Sequence, residues 1–339
     1  MSKEISERSK TIDVMKFILI ILVVIGHYPN INTNIQRIIF WFHMPLFFTI
    51  SGYLFKGDYK KLWMRKTIIK YIIPYFSYFI LISLLQRNIL LDNVIKFLYG
   101  GRMYSGTYWF IPCMLITILA FYFFNKEFSK RTIIIIVIVF YLLAHLESIF
   151  FLPYTENYLD WNVIYKIPLN VDVCLMSIVY FAMGFYFKST INKIINKNNV
   201  ILYLIVFLIC LIFIVLNLKG ILSYTLNMKL GHYYNFILDI LIPGIFGIWI
   251  LMTSTFISKI NINLINVIGI NTLPIMYFHI PINGLIQNKI EYGIIGYILV
   301  GVVPTLIFAY ICSKNRYLEF LFKGKITNRV LMSKTNIVN

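Results

Sequence analysis

Charge is what this chain has least of, and negative charge least of all. Only 13 of its 339 residues are Asp or Glu, and charged residues of both signs make up 13%, about half of the ~25% typical of soluble globular proteins. That scarcity excludes a soluble enzyme and a disordered chain, both of which need a far more polar surface. Cysteine is also sparse. Cys113, Cys174, Cys210 and Cys312 all fall inside apolar blocks and show no metal-ligand spacing. A secreted disulfide scaffold is thereby excluded, no metal site is expected, and the four are read as small packing residues. No internal repeat is visible, and no soluble domain is appended at either end. The expectation is one membrane domain over residues 1–339.

What is abundant is apolar surface. Hydrophobic residues make up 60%, with 25 Tyr and 29 Phe, and they come in blocks close to the ~20 residues an α-helix needs to cross a bilayer. Ten spans are predicted, over residues 14–28, 38–55, 68–85, 109–124, 133–151, 167–187, 200–216, 234–257, 264–286 and 292–312. The fold class is therefore an all-α, polytopic membrane bundle of about ten transmembrane helices. The first block has no small-residue cleavage site, so it reads as a retained signal anchor. The Tyr and Phe are read mainly as lipid-facing or interfacial belt residues.

The loops orient the bundle. With a cytoplasmic N-terminus, 21 of the 31 Lys and Arg fall on inside segments and 8 on outside segments, with Lys16 and Lys70 inside the spans. This is the positive-inside bias, and it places both termini in the cytoplasm of a cell (plasma or inner) membrane protein. The formal charge of +18 is thus topological and does not point to nucleic acid. A basic cytoplasmic face also suits anionic membrane lipid and a polyanionic soluble substrate.

Ionisable residues within spans are costly and mark functional candidates. At ~1.5 Å per residue, His27, His43 and His279 reach similar depths in the outer half of the bundle. Asp172, Asp239, His145 and Glu147 come to about the same level, so a polar layer is expected there. Asp172 and Asp239 also suit helix N-terminal caps, and His145 suits helix packing. His232, in an outside loop, is expected to be solvated.

Lys16 sits near the cytoplasmic edge. It precedes His27 by 11 residues, close to three full helical turns, so the two share one face about 16 Å apart. Asp13, three residues earlier, can pair with Lys16. A cation near the entrance and an imidazole deep inside suit a thioester donor arriving from the cytoplasm, with His27 acting on a hydroxyl as general base. Lys16 also suits a snorkelling anchor.

The order of these residues resembles the membrane-bound acyltransferase 3 family. The segment RSKTIDVMKFILIILVVIGH (8–27) is similar to the family's first span, with a basic residue, ten residues and then His; Lys16 stands where many members have Arg. FHMPLFFTISGYLF (42–55) resembles its second span, YWFIPCML (108–115) its Trp-Phe motif, NVDVCLMSIVYFAMGFYFK (170–188) its sixth span, and IGINTLPIMYFHIP (268–281) its late His segment. The resemblance implies O-acetyl transfer from acetyl-CoA, or another acyl-CoA, as co-substrate, with no bound cofactor. It implies a glycan or lipid-linked sugar as acceptor. His27 would be catalytic with Lys16 as its basic partner, and Asp13, His43, Trp109, Asp172 and His279 would be substrate- or donor-binding candidates. The competing expectation is an exporter or flippase of polysaccharide or lipid intermediates without transferase activity.

Overall fold

The structure, a computed structural model, describes residues 2–57, 61–87, 90–151, 167–197, 199–233, 235–260 and 262–325. Lys60, Lys166, Arg329 and Lys334 of the charge count and Tyr234 at the start of the eighth predicted span lie outside the described residues. In chain order the helices are α1 (Ser2–Gly26), α2 (Thr33–Phe40), α3 (His43–Leu54), α4 (Lys61–Gln86), α5 (Leu91–Leu98), α6 (Phe110–Glu127) and α7 (Lys130–Phe151). A 3-10 turn at Pro168–Asn170 leads into α8 (Val171–Tyr186), followed by α9 (Lys188–Lys197), α10 (Val200–Leu218) and α11 (Leu238–Ser258). The last four are α12 (Asn263–Ile270), α13 (Thr272–Gln287), α14 (Ile294–Lys314) and α15 (Arg316–Lys323). Among the described residues the only extended pairing is an isolated antiparallel bridge between Asn227 and His232.

The chain is a polytopic all-α membrane protein. Among the described residues seven helices (α4, α6, α7, α8 with its leading turn, α10, α11 and α14) are long and apolar enough to cross a bilayer. Taken together, α12 and α13 are also long and apolar enough, but they are bent by 82° at the break between them, the geometry of a broken span or a re-entrant loop. The first two predicted spans correspond to α1, whose apolar run is interrupted by Lys10, Asp13 and Lys16, and to α2 with α3, which has only 12 residues.

Two predicted spans are therefore broken, and the cause is the same. Pro45 is the third residue of α3 and Pro274 the third of α13. A proline lacks an N–H, so it is tolerated in a first turn, where that group has no intrahelical partner, and it disfavours helix running through from the other side. Depth counted straight from residue 264 to His279 therefore fails, because the axis turns at Asn271. The bend sends α12 across α1, so closely that a Cβ on Gly269 would run into the Asp13 backbone.

At the centre lies α1, packed by α2, α3, α9 and α11 to α14. The closest approach in the bundle is between α3 and α8: a Cβ on Gly52 would meet the Phe181 carbonyl, and one on Gly184 the Thr49 carbonyl. Lipid gives apolar faces no reason to associate, so such van der Waals contact between backbones is what holds membrane helices together. The aromatic expectation is corrected for the same reason. Trp41, Tyr53, Tyr78, Tyr108, Tyr180, Tyr277, Phe48, Phe121 and Phe181 are fully buried, while the exposed apolar residues are dominated by Ile, Leu and Val. Flat rings fill space between helices at many contacts per residue.

Gly184→Ala should destabilise the fold by about 1–3 kcal/mol through overpacking, read as a lower thermal midpoint in detergent. Gly244→Ala, whose Cβ would meet nothing within 4 Å, should leave the midpoint unchanged.

Candidate active site

One face of α1, Lys16, Ile20, Val23 and His27, lines a cavity of about 630 Å³. These residues are spaced four, three and four apart, one stripe of an unbroken helix, so Lys16 and His27 lie about three turns apart within the same space. Lys16 Nζ meets Asp13 Oδ1 at 2.6 Å. The two breaks described above open on this cavity, since His43 at the start of α3 and Asn271 and Thr272 at the bend both line it. Trp109, at the N-terminal cap of α6, lines it too.

His27 ends α1. Its Nδ1 lies 2.8 Å from the Val23 carbonyl oxygen; a carbonyl only accepts, so Nδ1 carries the proton and a neutral ring keeps its lone pair on Nε2. That nitrogen faces Gly106, where an added Cβ would come within 3.3 Å of it. The His27 carbonyl, left over at the helix end, accepts a hydrogen bond from Tyr297 at 3.0 Å, and Gln36 donates to the Gly26 carbonyl at 2.7 Å. His43 and His279 bond in the same way, Nδ1 to Ile39 and Ile275 carbonyls, each at 2.8 Å. His279 lies outside the lining but packs edge-on against His27, with ring centroids 5.1 Å apart. Chemically, the arrangement offers a cation at one end and a neutral imidazole with a free acceptor at the other.

The model of the Acyltransferase domain family matches residues 9–314, nearly the whole chain and every helix that builds this cavity except α15. The chain belongs to the acyltransferase 3 family. Among curated proteins and solved structures, no match was found. It is thus a multi-pass membrane acyltransferase.

The polar layer expected in this acyltransferase divides into three separate groups. The histidines at the cavity form the first. In the second, Asp172 stands in the first turn of α8, away from the cavity lining, where it pairs with Arg102 at 2.5 Å. Arg102 Nε also donates to Asn170 at 3.0 Å, and Asn170 Nδ2 donates to the carbonyls of Gly100 (2.8 Å) and Trp109 (3.0 Å). This buried cluster fastens the 99–109 loop, with Gly106 and Trp109 on it, to the start of α8. The third group is His145 and Asp239, 3.0 Å apart and fully buried, joined by Tyr180, which donates to the Asp239 carbonyl. It ties α7, α8 and α11 and does not reach the cavity.

The 217–233 segment is not the solvated loop its composition implied. Tyr224, Leu226, Met228 and Tyr233 are buried, Trp41 donates to the Tyr224 carbonyl at 3.1 Å, and Asn227 to Leu230 cover the His27 end of the cavity. His232 is buried rather than solvated, and burial pushes its pKa down to about 4. Sequence reasoning also passed over Gly106 and the cavity-lining Lys70, Lys229, Lys323 and Lys325. A glycine, or a lysine at the edge of an apolar block, carries no signal until the fold brings such residues together.

Arg102→Met should cost about 3–5 kcal/mol, because it leaves the Asp172 carboxylate buried and unpaired. Thermal unfolding should show Arg102→Met/Asp172→Leu recovering much of that loss. A double variant as unstable as the single would mean that the pair does not act through its charge.

Proposed function

We propose that the protein is an O-acetyltransferase of the cell membrane that moves an acetyl group from cytoplasmic acetyl-CoA to a hydroxyl of a cell-surface polysaccharide or lipid-linked sugar. The observation that carries this reading is the single cavity holding Lys16 and the Nε2 side of His27, about 16 Å apart along α1. By the charge bias of the loops, Lys16 faces the cytoplasm. That separation suits the slender arm of a thioester donor, and 630 Å³ is an ordinary size for a ligand site. The alternative drawn from the sequence, an exporter without transferase activity, is not what family membership supports.

In this reading Lys16 meets polar groups of the donor, with Asp13 holding its ammonium in place. The acceptor hydroxyl approaches Nε2, gives up its proton there, and its oxygen attacks the thioester carbonyl. The carbon–sulfur bond breaks, and the proton returns through Nε2 to the departing thiolate. The Val23 carbonyl holds the tautomer that leaves Nε2 free, and His279, packed against the ring, is a positioning residue. His43 and Trp109 shape the acceptor end, while Asp172 contributes only through the loop that carries Gly106.

The test is acetyl-CoA consumption by purified protein with a glycan acceptor. His27→Ala should lower turnover by about 10²–10⁴-fold without shifting the thermal midpoint, and Lys16→Ala should raise KM for acetyl-CoA more than it lowers kcat. Full activity in His27→Ala would overturn the mechanism. Gly106→Ala should slow transfer by about ten- to a hundredfold, because its methyl group displaces the hydroxyl from Nε2. Mass spectrometry of the surface glycan with and without the protein identifies the acceptor position.

A further inference from the structure

Beyond the last crossing the chain does not simply end in solvent. Asn315 caps α15 by accepting from the Tyr317 and Leu318 backbone N–H groups, and Gly324 closes it in the left-handed conformation at φ +61°. Phe322 packs on Tyr78 of α4 and Phe308 of α14, with ring centroids 5.2 and 5.0 Å apart. Gly324 lies so close to α4 that a Cβ there would collide with the Lys70 backbone. Only glycine combines that backbone angle with that contact. The helix is thus seated against α4 at Lys70.

This seating brings Lys323 and Lys325 into the lining of the cavity that holds Lys16 and His27, beside Lys70. Four lysines from three distant parts of the chain, Lys16, Lys70, Lys323 and Lys325, thus line the one cavity. Two of them have carboxylate partners, Lys16 with Asp13 and Lys325 with Glu319 at 2.8 Å. Lys323 instead donates to the neutral Ser313 hydroxyl at 2.7 Å. Burial, and next the nearby Lys325, hold the Lys323 ammonium below its ordinary pKa, as expected where cations gather without enough opposing charge. The family match stops at residue 314, so α15, with Lys323 at its end and Lys325 just beyond, is additional to the matched domain.

We propose that α15 forms one wall of an anion site at the cytoplasmic mouth, where Lys323 and Lys325, with Lys70 beside them, bind the phosphate groups of the nucleotide part of the donor. This rests on the acetyl-CoA reading above. Lysine binds phosphate as a compact point charge, and several of them at one mouth suit a ligand carrying both a diphosphate and a separate phosphate monoester. Anionic lipid headgroups share the phosphate chemistry, so the test separates the two sources.

The full-length protein is placed in nanodiscs of phosphatidylcholine alone, and in others containing phosphatidylglycerol. Binding of adenosine 3′,5′-bisphosphate is measured directly, and kcat/KM is compared for acetyl-CoA and for acetyl-pantetheine, which lacks the phosphates. In Lys323→Ala/Lys325→Ala, bisphosphate binding should weaken about tenfold or more in the neutral discs. The acetyl-CoA to acetyl-pantetheine ratio should fall by a similar factor, and the loss should shrink at high salt. Glu319→Gln, which releases Lys325, should tighten binding, an effect that mere damage to α15 would not produce. Equal losses with both donors, or unchanged bisphosphate binding, would overturn the proposal. So would a defect confined to discs containing phosphatidylglycerol, which would assign the lysines to lipid. Wild-type protein that binds the bisphosphate through these lysines but consumes no acetyl-CoA would support the anion site and overturn the acetyl-CoA reading alone.

Discussion

The hydrogen bond from His27 Nδ1 to the Val23 carbonyl, one turn back on the same helix, is the interaction on which the site depends. It fixes which nitrogen is free and points that nitrogen away from α1, toward the one position in the 99–109 loop where a glycine leaves room. The bond forms because α1 runs unbroken to Gly26 and so places the Val23 carbonyl one turn below His27, within reach of its ring, as Ile275 is for His279. Everything else around the ring serves that geometry: Tyr297 takes up the His27 carbonyl, Gln36 the Gly26 carbonyl, and His279 closes the remaining face.

A second level of support is farther out. The loop that holds Gly106 and Trp109 has little regular structure of its own, yet it must keep its distance from the imidazole to within a fraction of an ångström. The Arg102, Asn170 and Asp172 cluster supplies that by binding two carbonyls of the loop, those of Gly100 and Trp109, to the first turn of α8. In turn, α8 is locked against α3 by backbone contact at Gly52 and Gly184. A chain of rigid contacts therefore runs from the tightest helix pair in the bundle to the space beside Nε2.

The fold class and the shared face of Lys16 and His27 were legible in the sequence, because each follows from periodicity along the chain. An 11-residue spacing on an uninterrupted helix leaves little freedom in azimuth. Asp172 shows where such reasoning stops. Its depth matched that of His27, but depth carries no direction, and its partner Arg102 lies in a loop that reads as ordinary outside charge. The bend at Asn271 was signalled by Pro274 and was hidden by the unbroken apolar run around it. The inward packing of the 217–233 segment and the seating of α15 depend on contacts between residues far apart in the chain, which no local pattern records.

The lining of the cavity has one further property. Among the described residues it includes Lys16, Lys70, Lys229, Lys323 and Lys325, and no Asp or Glu. Positive charge along the walls of a cavity raises the energy of any cation within it. Small cations are disfavoured there, and anions are drawn in.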